Sequence, residues 1–288
     1  MIGSFLGVLF DGVAYGSLLF LVSVGLSVTL GLMNFVNLAH GAFAMLGGYV
    51  CVTLMTRWGV PFLATLPIAF LATAAAGAVL ERTLYRRLYK ASHLDQVLFS
   101  IGLTFMAIAG ATYVWGPAQQ PVRLPEILRG QVNVLGLDLG SYRLFLVAIV
   151  VAITAGLAYL MERTRFGARV RAAVDDAEVA SGLGINVDLL FALMFALGTG
   201  LAGLGGALGI DVLGLDPTFP IKYMVYFLLV VAVGGTGTIR GPLVAALVLG
   251  IVDVAGKYYV PQAGGFIIYT MMVALLIAFP AGLMGRRA

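Results

Sequence analysis

Leu189-Leu-Phe-Ala-Leu-Met-Phe-Ala-Leu-Gly-Thr-Gly-Leu-Ala-Gly-Leu-Gly-Gly-Ala-Leu-Gly-Ile210 contains no charged residue. As a helix rising about 1.5 Å per residue, it is long enough to cross roughly 30 Å of hydrocarbon. Uncharged runs recur at 18–32, 60–80 and 97–121, and only 10% of the chain is charged while 61% is hydrophobic. A soluble domain usually carries about a quarter charged residues. The sequence therefore predicts an all-α, polytopic integral membrane protein.

The apolar runs divide the chain into about eight to ten transmembrane helices within one domain covering residues 1–288. The first run, from Phe5 onward, lacks a basic n-region and a small-residue cleavage site, so it is interpreted as a retained span. The segmentation favours nine spans, at about 5–32, 36–56, 60–80, 94–115, 142–161, 187–210, 222–237, 242–258 and 265–283.

Basic residues gather after the third span, after the fifth span and at the end of the chain. Because cytoplasmic loops are enriched in Lys and Arg, we expect the N-terminus outside and the C-terminus in the cytoplasm. The net charge of +4 is then a sign of topology, and nucleic-acid binding is not expected. The clustered residues are Arg82, Arg86, Arg87, Lys90, Arg163, Arg165, Arg169, Arg171, Arg286 and Arg287.

Two connections are longer than simple turns. Residues 116–141 contain three prolines and mixed charges and are predicted to form a periplasmic loop. Within residues 162–186, the stretch 168–181 has a composition that favours a helix, and Gly182 and Gly184 follow it as helix-ending residues. We expect this second connection to be a short helix lying on the cytoplasmic face.

Polar and glycine-rich sequence interrupts the apolar pattern twice, at 31–41 and at 234–242. Where helices end within a membrane, free backbone groups can bind a polar solute; an ordinary interfacial turn is the alternative. The similar order of features in the two halves predicts an internal repeat with broken helices. The candidate path residues are Asn34, Asn37, His40, Gly41, Gly234, Gly235, Thr236 and Thr238. The first three would share a face if this stretch were helical.

Other polar or small residues within the spans have simpler interpretations. The glycines of the sixth span favour close helix packing over a role in lining a solute path. Asp211 and Asp216 fall at a predicted outer edge, and Asp253 can reach Lys257 one turn later. Asp11 lies a few residues into the first span. An ion-coupled secondary transporter or channel using Asp11 or His40 is the alternative function.

Recognisable catalytic chemistry is absent from the sequence. Gly234 to Arg240 lacks the Gly-Lys-Ser/Thr ending of a Walker A loop, and there is no His-Glu-x-x-His motif or nucleophile elbow. One cysteine and two histidines are too few for a typical zinc site. We therefore expect no catalytic residue, no metal site and no ATP hydrolysis by this chain.

Five blocks, in order along essentially the whole chain, carry a family resemblance. Met33-Asn-Phe-Val-Asn-Leu-Ala-His-Gly41 with Met45-Leu-Gly-Gly-Tyr49 resembles the LivH family of permease subunits of branched-chain amino acid ABC importers. The remaining blocks also resemble that family: Glu81-Arg82 with Tyr85-Arg86 and Ser100-Ile-Gly-Leu103; Arg165-Phe-Gly167 with Arg171-Ala, Ala180-Ser and Leu183-Gly-Ile-Asn186; Gly234-Gly-Thr-Gly-Thr-Ile-Arg-Gly241; and Phe279-Pro-Ala-Gly-Leu283.

The resemblance implies a division of labour in the bacterial cytoplasmic (inner) membrane. A periplasmic solute-binding protein would deliver the solute. Two permeases, this chain with a LivM-like subunit or a second copy, would form the path. Two ABC ATPase subunits would use ATP and Mg, while this chain binds no cofactor. Relatives also import urea, amides and organic acids. Residues 162–186, hereafter the coupling segment, would dock on an ATPase through Arg165, Arg169, Arg171, Asp175, Glu178, Gly182, Gly184 and Asn186.

Overall fold

The computed structural model describes residues 2–122, 124–134, 136–237, 239–279 and 282–283. Within these residues the chain is almost entirely α-helical. The helices are α1 (Ile2–Met33), α2 (His40–Trp58), α3 (Phe62–Thr83), α4 (His93–Trp115), α5 (Ser141–Arg163), α6 (Arg165–Asp175), α7 (Ala177–Gly182), α8 (Val187–Leu213), α9 (Phe219–Gly234), α10 (Arg240–Tyr259) and α11 (Gly264–Ala278).

Seven helices, counted among the described residues, are long and apolar enough to span a membrane: α1, α3, α4, α5, α8, α10 and α11. The apolar helix α9 is shorter, with 16 residues. Helix α2, with 19 residues, is largely buried within the bundle. These nine helices lie at the nine predicted positions, and the prediction of an all-α polytopic membrane protein is confirmed. The internal repeat stays a prediction.

Helix α1 is the centre of the bundle. Every side chain from Leu18 to Val24 is inaccessible, so this stretch touches protein on all sides. Gly12 lies against Ile251 and Gly16 against Ala246, which places α10 antiparallel to α1. Because protein surrounds α1 on all sides, connecting segments from both halves of the chain can pack against it.

Helix α8 packs its small residues against three other helices. A Cβ placed on Gly25 of α1 would lie 2.3 Å from the carbonyl oxygen of Gly198, and one on Gly47 of α2 would lie 2.1 Å from that of Gly203. Thr73 of α3 occupies the space beside Gly203. Such contacts let backbones approach closely in lipid, where packing drives helix association. The close-packing interpretation of the sixth span is confirmed.

The connections rich in Arg and Lys lie at one end of the bundle, here called the basic end. Arg86 after α3 pairs with Asp188 at the start of α8. Arg240 at the start of α10 pairs with Glu162 near the end of α5, at 2.9 Å. The opposite end contains the pair formed by Arg143 and Asp11. Arg286 and Arg287 lie outside the described residues.

Two connections differ in detail from expectation. Within residues 116–141 the structure has a 3-10 turn at Glu126–Leu128 and a two-stranded antiparallel hairpin, β1 (Gln131–Val134) with β2 (Leu137–Gly140). The single helix predicted at 168–181 is wrong, because α6 and α7 are separate. Asp176 between them is extended, with φ −156°, and its carboxylate accepts the Glu178 and Val179 backbone N–H groups. It therefore starts a new helix.

Candidate functional site

The first polar interruption is a partly buried, non-helical stretch, residues 34–39, here called the re-entrant connection. Helix α1 ends at Met33, and Asn34 has φ +47°, a left-handed conformation that Asn tolerates better than most residues. His40 at the start of α2 donates from Nε2 to the carbonyl oxygen of Val22 at 2.8 Å. Val22 lies about 16 Å along the helix axis before Met33. The chain therefore folds back along α1.

Asn37 fixes the middle of the re-entrant connection. Its Oδ1 accepts a hydrogen bond from the Tyr85 hydroxyl at 2.9 Å and another from the Ala39 backbone N–H at 3.1 Å. Burial raises the pKa of the Tyr85 phenol well above its ordinary value, and the hydrogen bond to Asn37 lowers it in part. Tyr85 is therefore protonated and acts as the donor. The Nδ2 of Asn37 is buried and has no partner among the described residues.

A second side chain holds the same connection from α4. Gln96 is buried, and its Oε1 accepts the backbone N–H of Val36 at 3.3 Å. Its Nε2 donates to the carbonyl oxygen of Leu88 at 3.2 Å. Irregular backbone is tolerated at membrane depth only where protein satisfies it. Tyr85 and Gln96 do this here, and the turn between α3 and α4 thereby sets the position of the re-entrant connection.

The second polar interruption, residues 235–239, is here called the glycine connection; Thr238 lies outside the described residues. Gly235 and Gly237 have φ of +88° and +75°, which glycine adopts without penalty. The Ser27 hydroxyl donates to the carbonyl oxygen of Gly235 at 3.2 Å, and the Gly237 N–H donates to that of Ser27 at 3.1 Å. Thr236 is exposed. Helices therefore end at both interruptions, and both segments bind to α1.

The two interruptions contact different faces of α1. Val22 and Ser27 are five residues apart, which separates their directions around the helix by about 140°. Ala39 lines a cavity of about 290 Å³ beside Tyr49 and Trp115. Gly237 instead lines a groove of about 790 Å³ between α1, α5 and α10. The structure thus places the candidate path residues in two regions of the bundle.

The remaining candidate path residues divide between packing and exposure. Because residues 34–39 are non-helical, Asn34, Asn37 and His40 do not share a helical face, and Asn34 is exposed while the other two are buried. A Cβ on Gly41 would lie 3.0 Å from Pro220 Cα, and one on Gly234 would lie 2.5 Å from the Pro242 nitrogen. Both glycines permit close backbone packing.

The coupling segment is tied firmly to the bundle. One face of α6 and α7 is buried against the start of α8, where Val170, Ala173 and Ala180 pack with Leu190 and Met194. Its polar groups cap helices: the side chains of Thr164, Asp176 and Asn186 accept backbone N–H groups at the starts of α6, α7 and α8, and Arg171 donates to the carbonyl oxygen of Met161.

The outer face of the coupling segment combines charge with exposed apolar side chains. Val174, Val179 and Leu183 are 44%, 58% and 76% exposed, and Val174 also borders the groove between α1, α5 and α10. The sequence candidates Arg165, Arg169, Asp175, Glu178, Gly182 and Gly184 on the same segment are also exposed, and Asn186 borders a polar cleft of about 340 Å³. We call Val174, Val179 and Leu183 the apolar triplet. Exposed apolar groups rimmed by polar residues are typical of a protein-binding surface.

Three of the four acidic residues singled out from the sequence have partners, and the fourth, Asp211, is exposed. Asp11 pairs with Arg143, Asp216 accepts the Thr218 backbone N–H at 2.8 Å, and Asp253 accepts from Lys257 Nζ at 2.5 Å, as expected for that pair. His40 is also engaged, by Val22. Neither Asp11 nor His40 therefore offers a free group in favour of ion coupling. Within the described residues, no three His, Cys, Asp or Glu side chains form a metal-binding group.

Sequence reasoning missed several residues that build these sites. Tyr85 belongs to one of the family blocks, yet nothing in its local sequence indicates contact with Asn37, 48 positions away. Ser27 and Gln96 are single polar residues beside apolar sequence, and no local pattern indicates their contacts. In the coupling segment the apolar triplet does not stand out among the charged residues. An amphipathic pattern in 165–183 was the available signal.

A bundle of apolar helices with irregular connections inside it is the architecture of a polytopic membrane protein. The chain belongs to the permease component family of branched-chain amino acid transport systems, which it matches over residues 8–276. It is therefore a permease component of an ABC importer.

Named relatives match nearly the full chain. The high-affinity branched-chain amino acid transport permease LivH of Escherichia coli K12 is 27% identical over 98% of this chain and 96% of its own. BraD of Pseudomonas aeruginosa is 25% identical over 96% and 95%, and a probable LivH of Methanocaldococcus jannaschii is 26% identical over 96% and 92%. No solved structure matches significantly.

Proposed function

We propose that this chain forms part of the path by which an ABC importer carries branched-chain amino acids or a related small polar solute such as an amide, urea or organic acid. The relatives' transport of branched-chain amino acids supports the solute class. The observation that carries the mechanism is the apolar triplet, exposed on a segment whose other face is buried against α8. Such a segment receives a partner and passes force to the spans.

The proposed assembly follows the family's division of labour. Two ABC ATPase subunits bind at the basic end and supply the energy of ATP with Mg, because this chain has no nucleotide-binding motif and does not hydrolyse ATP itself. A periplasmic solute-binding protein delivers the solute to the opposite end. The second permease is a LivM-like subunit or another copy of this chain, and the assembly lies in the bacterial inner membrane.

The orientation rests on charge. Arg86, Arg171 and Arg240 all lie at the basic end, which the positive-inside rule assigns to the cytoplasm. The coupling segment then faces the ATPase, residues 116–141 face the periplasm and the C-terminus is cytoplasmic.

Contacts link the proposed docking surface to the proposed path. The coupling segment leads into α8, whose Asp188 pairs with Arg86. The adjacent Tyr85 bonds to Asn37 of the re-entrant connection. A displacement of the coupling segment by the ATPase would therefore reach the re-entrant connection through two neighbouring residues. Alternating access would follow if the connection has two packed arrangements.

Replacement of Leu183 by Asp should weaken capture of the ATPase at least fivefold, because a carboxylate placed in an apolar contact must be desolvated. The measurement is co-purification of ATPase subunits with the tagged permease in mild detergent. Ile127→Asp is the matched control, since Ile127 is also 76% exposed but lies in the 116–141 loop. Equal capture by both variants would contradict the docking assignment.

Substitution of the exposed residues in the re-entrant connection and the glycine connection tests whether they line the solute path. Asn34→Gly and Thr236→Val each remove a polar side chain that no side-chain hydrogen bond of the described structure requires. Because glycine adopts the φ of +47° found at residue 34 without penalty, folding should be unaffected. If these residues contact solute, the initial rate of L-leucine uptake should fall by threefold to tenfold. The rate is measured at a saturating concentration of the solute-binding protein loaded with L-leucine. Unchanged uptake in both variants, with normal protein levels, would exclude Asn34 and Thr236 from the path.

A further inference from the structure

A polar cluster not assigned by the preceding sites lies towards the opposite end, between α1, α9, α10 and α11. Asp253 of α10 is 1% exposed, and its Oδ2 accepts from Lys257 Nζ at 2.5 Å. Its other oxygen, Oδ1, is buried and has no hydrogen-bond partner among the described residues. A buried carboxylate oxygen without a donor is costly, so it has unused capacity to bind one.

Tyrosine side chains from neighbouring helices lie near this carboxylate. Tyr15 of α1 and Tyr226 of α9 lie close enough to Asp253 to feel the charge of its carboxylate, and Tyr269 of α11 lies near both tyrosines. Lys257 Nζ lies 5.8 Å from the centre of the Tyr15 ring. Aromatic faces attract ammonium groups, an effect that grows when the site is removed from water. We call Tyr15, Tyr226, Asp253, Lys257 and Tyr269 the Asp253 cluster.

The cluster is open on one side. The Lys257 side chain is 52% exposed although its Asp253 partner is buried, and Tyr269 is 43% exposed. The exposed part of the cluster lies towards the opposite end, the side at which the proposed importer receives its solute. The ion pair with Lys257 uses only one of the two carboxylate oxygens and leaves Oδ1 without a donor.

We propose that the Asp253 cluster binds the zwitterionic head of an α-amino acid, an inference that rests on the proposed function. The solute's ammonium donates to Asp253 Oδ1 and lies against the tyrosine rings. The solute's carboxylate accepts from Lys257, whose Nζ has further donors and can swing into solvent. One acidic and one basic group, one helical turn apart, thus match the two charges of one small molecule.

The test uses the complete importer in proteoliposomes, with its solute-binding protein saturated with L-leucine. Asp253→Asn keeps the size of the side chain but loses its charge, and we expect initial uptake to fall about tenfold or more. Lys257→Met should reduce uptake similarly. The matched control is Asp11→Asn, which removes another acidic member of an ion pair at the same end, and its uptake should stay within twofold of the unsubstituted protein.

A second measurement separates solute binding from a structural role. Photo-leucine, irradiated on the importer, should label peptides of α9, α10 or α11. Excess L-leucine should suppress this labelling, whereas 4-methylpentanoate, which lacks the ammonium, should not. Asp253→Asn should abolish the labelling. Loss of uptake with unchanged labelling, or no labelling of these helices in the unsubstituted protein, overturns the inference.

Failure of the proposed function would look different. If the unsubstituted importer transports no branched-chain amino acid, the proposed solute class is wrong whatever the labelling. If it transports L-leucine and Asp253→Asn transports it equally well, the solute class stands and the Asp253 cluster is not its binding site.

Discussion

Replacing Gly25 by Ala should lower the melting temperature of the purified permease by several degrees. The added Cβ would lie 2.3 Å from the carbonyl oxygen of Gly198, and the carbon and Cα of that residue lie 2.7 Å away. These are backbone atoms, so no rotamer change relieves the clash and α1 must move from α8. Overpacking of this kind typically costs about 1–3 kcal/mol, and the central position of α1 places the cost at the upper end.

The matched control substitution should change the stability of the permease in the opposite direction. Gly102 also lies inside a spanning helix, α4, but a Cβ there meets nothing within 4 Å. Gly102→Ala should therefore gain about 0.5–1 kcal/mol by restricting the unfolded chain. Thermal unfolding in one detergent, followed by size-exclusion chromatography, compares the two variants. A melting temperature for Gly25→Ala equal to that of Gly102→Ala would mean that the α1–α8 contact is looser than described.

The positions of the spans were predictable because lipid imposes a length and an apolar composition on each helix. The residues at which the spans begin and end were less predictable. The second span was predicted from residue 36, whereas α2 begins at His40. Phe35 and Ala39 are buried without being helical, and hydropathy records burial but not backbone conformation. The seventh span was predicted at 222–237, but Pro220 lies in the first turn of α9 and Gly235 follows its last residue.

The sites were only partly predictable, because their partners are distant in sequence. Polar residues in apolar sequence indicated Asn37 and His40 as candidates, but their contacts with Tyr85 and Val22 depend on how the chain folds back. The pairing of Asp253 with Lys257 followed from helical spacing, since both are on α10. The tyrosines around them come from three other helices, which no local pattern joins.

Replacement of Asn37 by Leu should reduce solute uptake more than tenfold. Leucine cannot accept from the Tyr85 hydroxyl or from the Ala39 N–H, and both donors would be left buried. Each unsatisfied buried group costs about 1–3 kcal/mol, which is enough to release the re-entrant connection from its position along α1. Initial L-leucine uptake and thermal stability are the two measurements. The exposed Asn133, which bonds Asp138 at 2.8 Å, provides the matched control as Asn133→Leu.

Tyr85→Phe supplies the second arm of a double-mutant cycle. It removes the hydroxyl and so leaves no unpaired donor on that side, and we expect a loss of uptake of only a few-fold. In the double variant, Asn37→Leu should reduce uptake by a smaller factor than it does alone. The reason is that one of the two donors it would leave unpaired, the Tyr85 hydroxyl, is already absent. A strictly additive double variant would show that Tyr85 and Asn37 act independently. The proposed route from the coupling segment to the re-entrant connection would then have to run through other contacts, such as Gln96 with Val36.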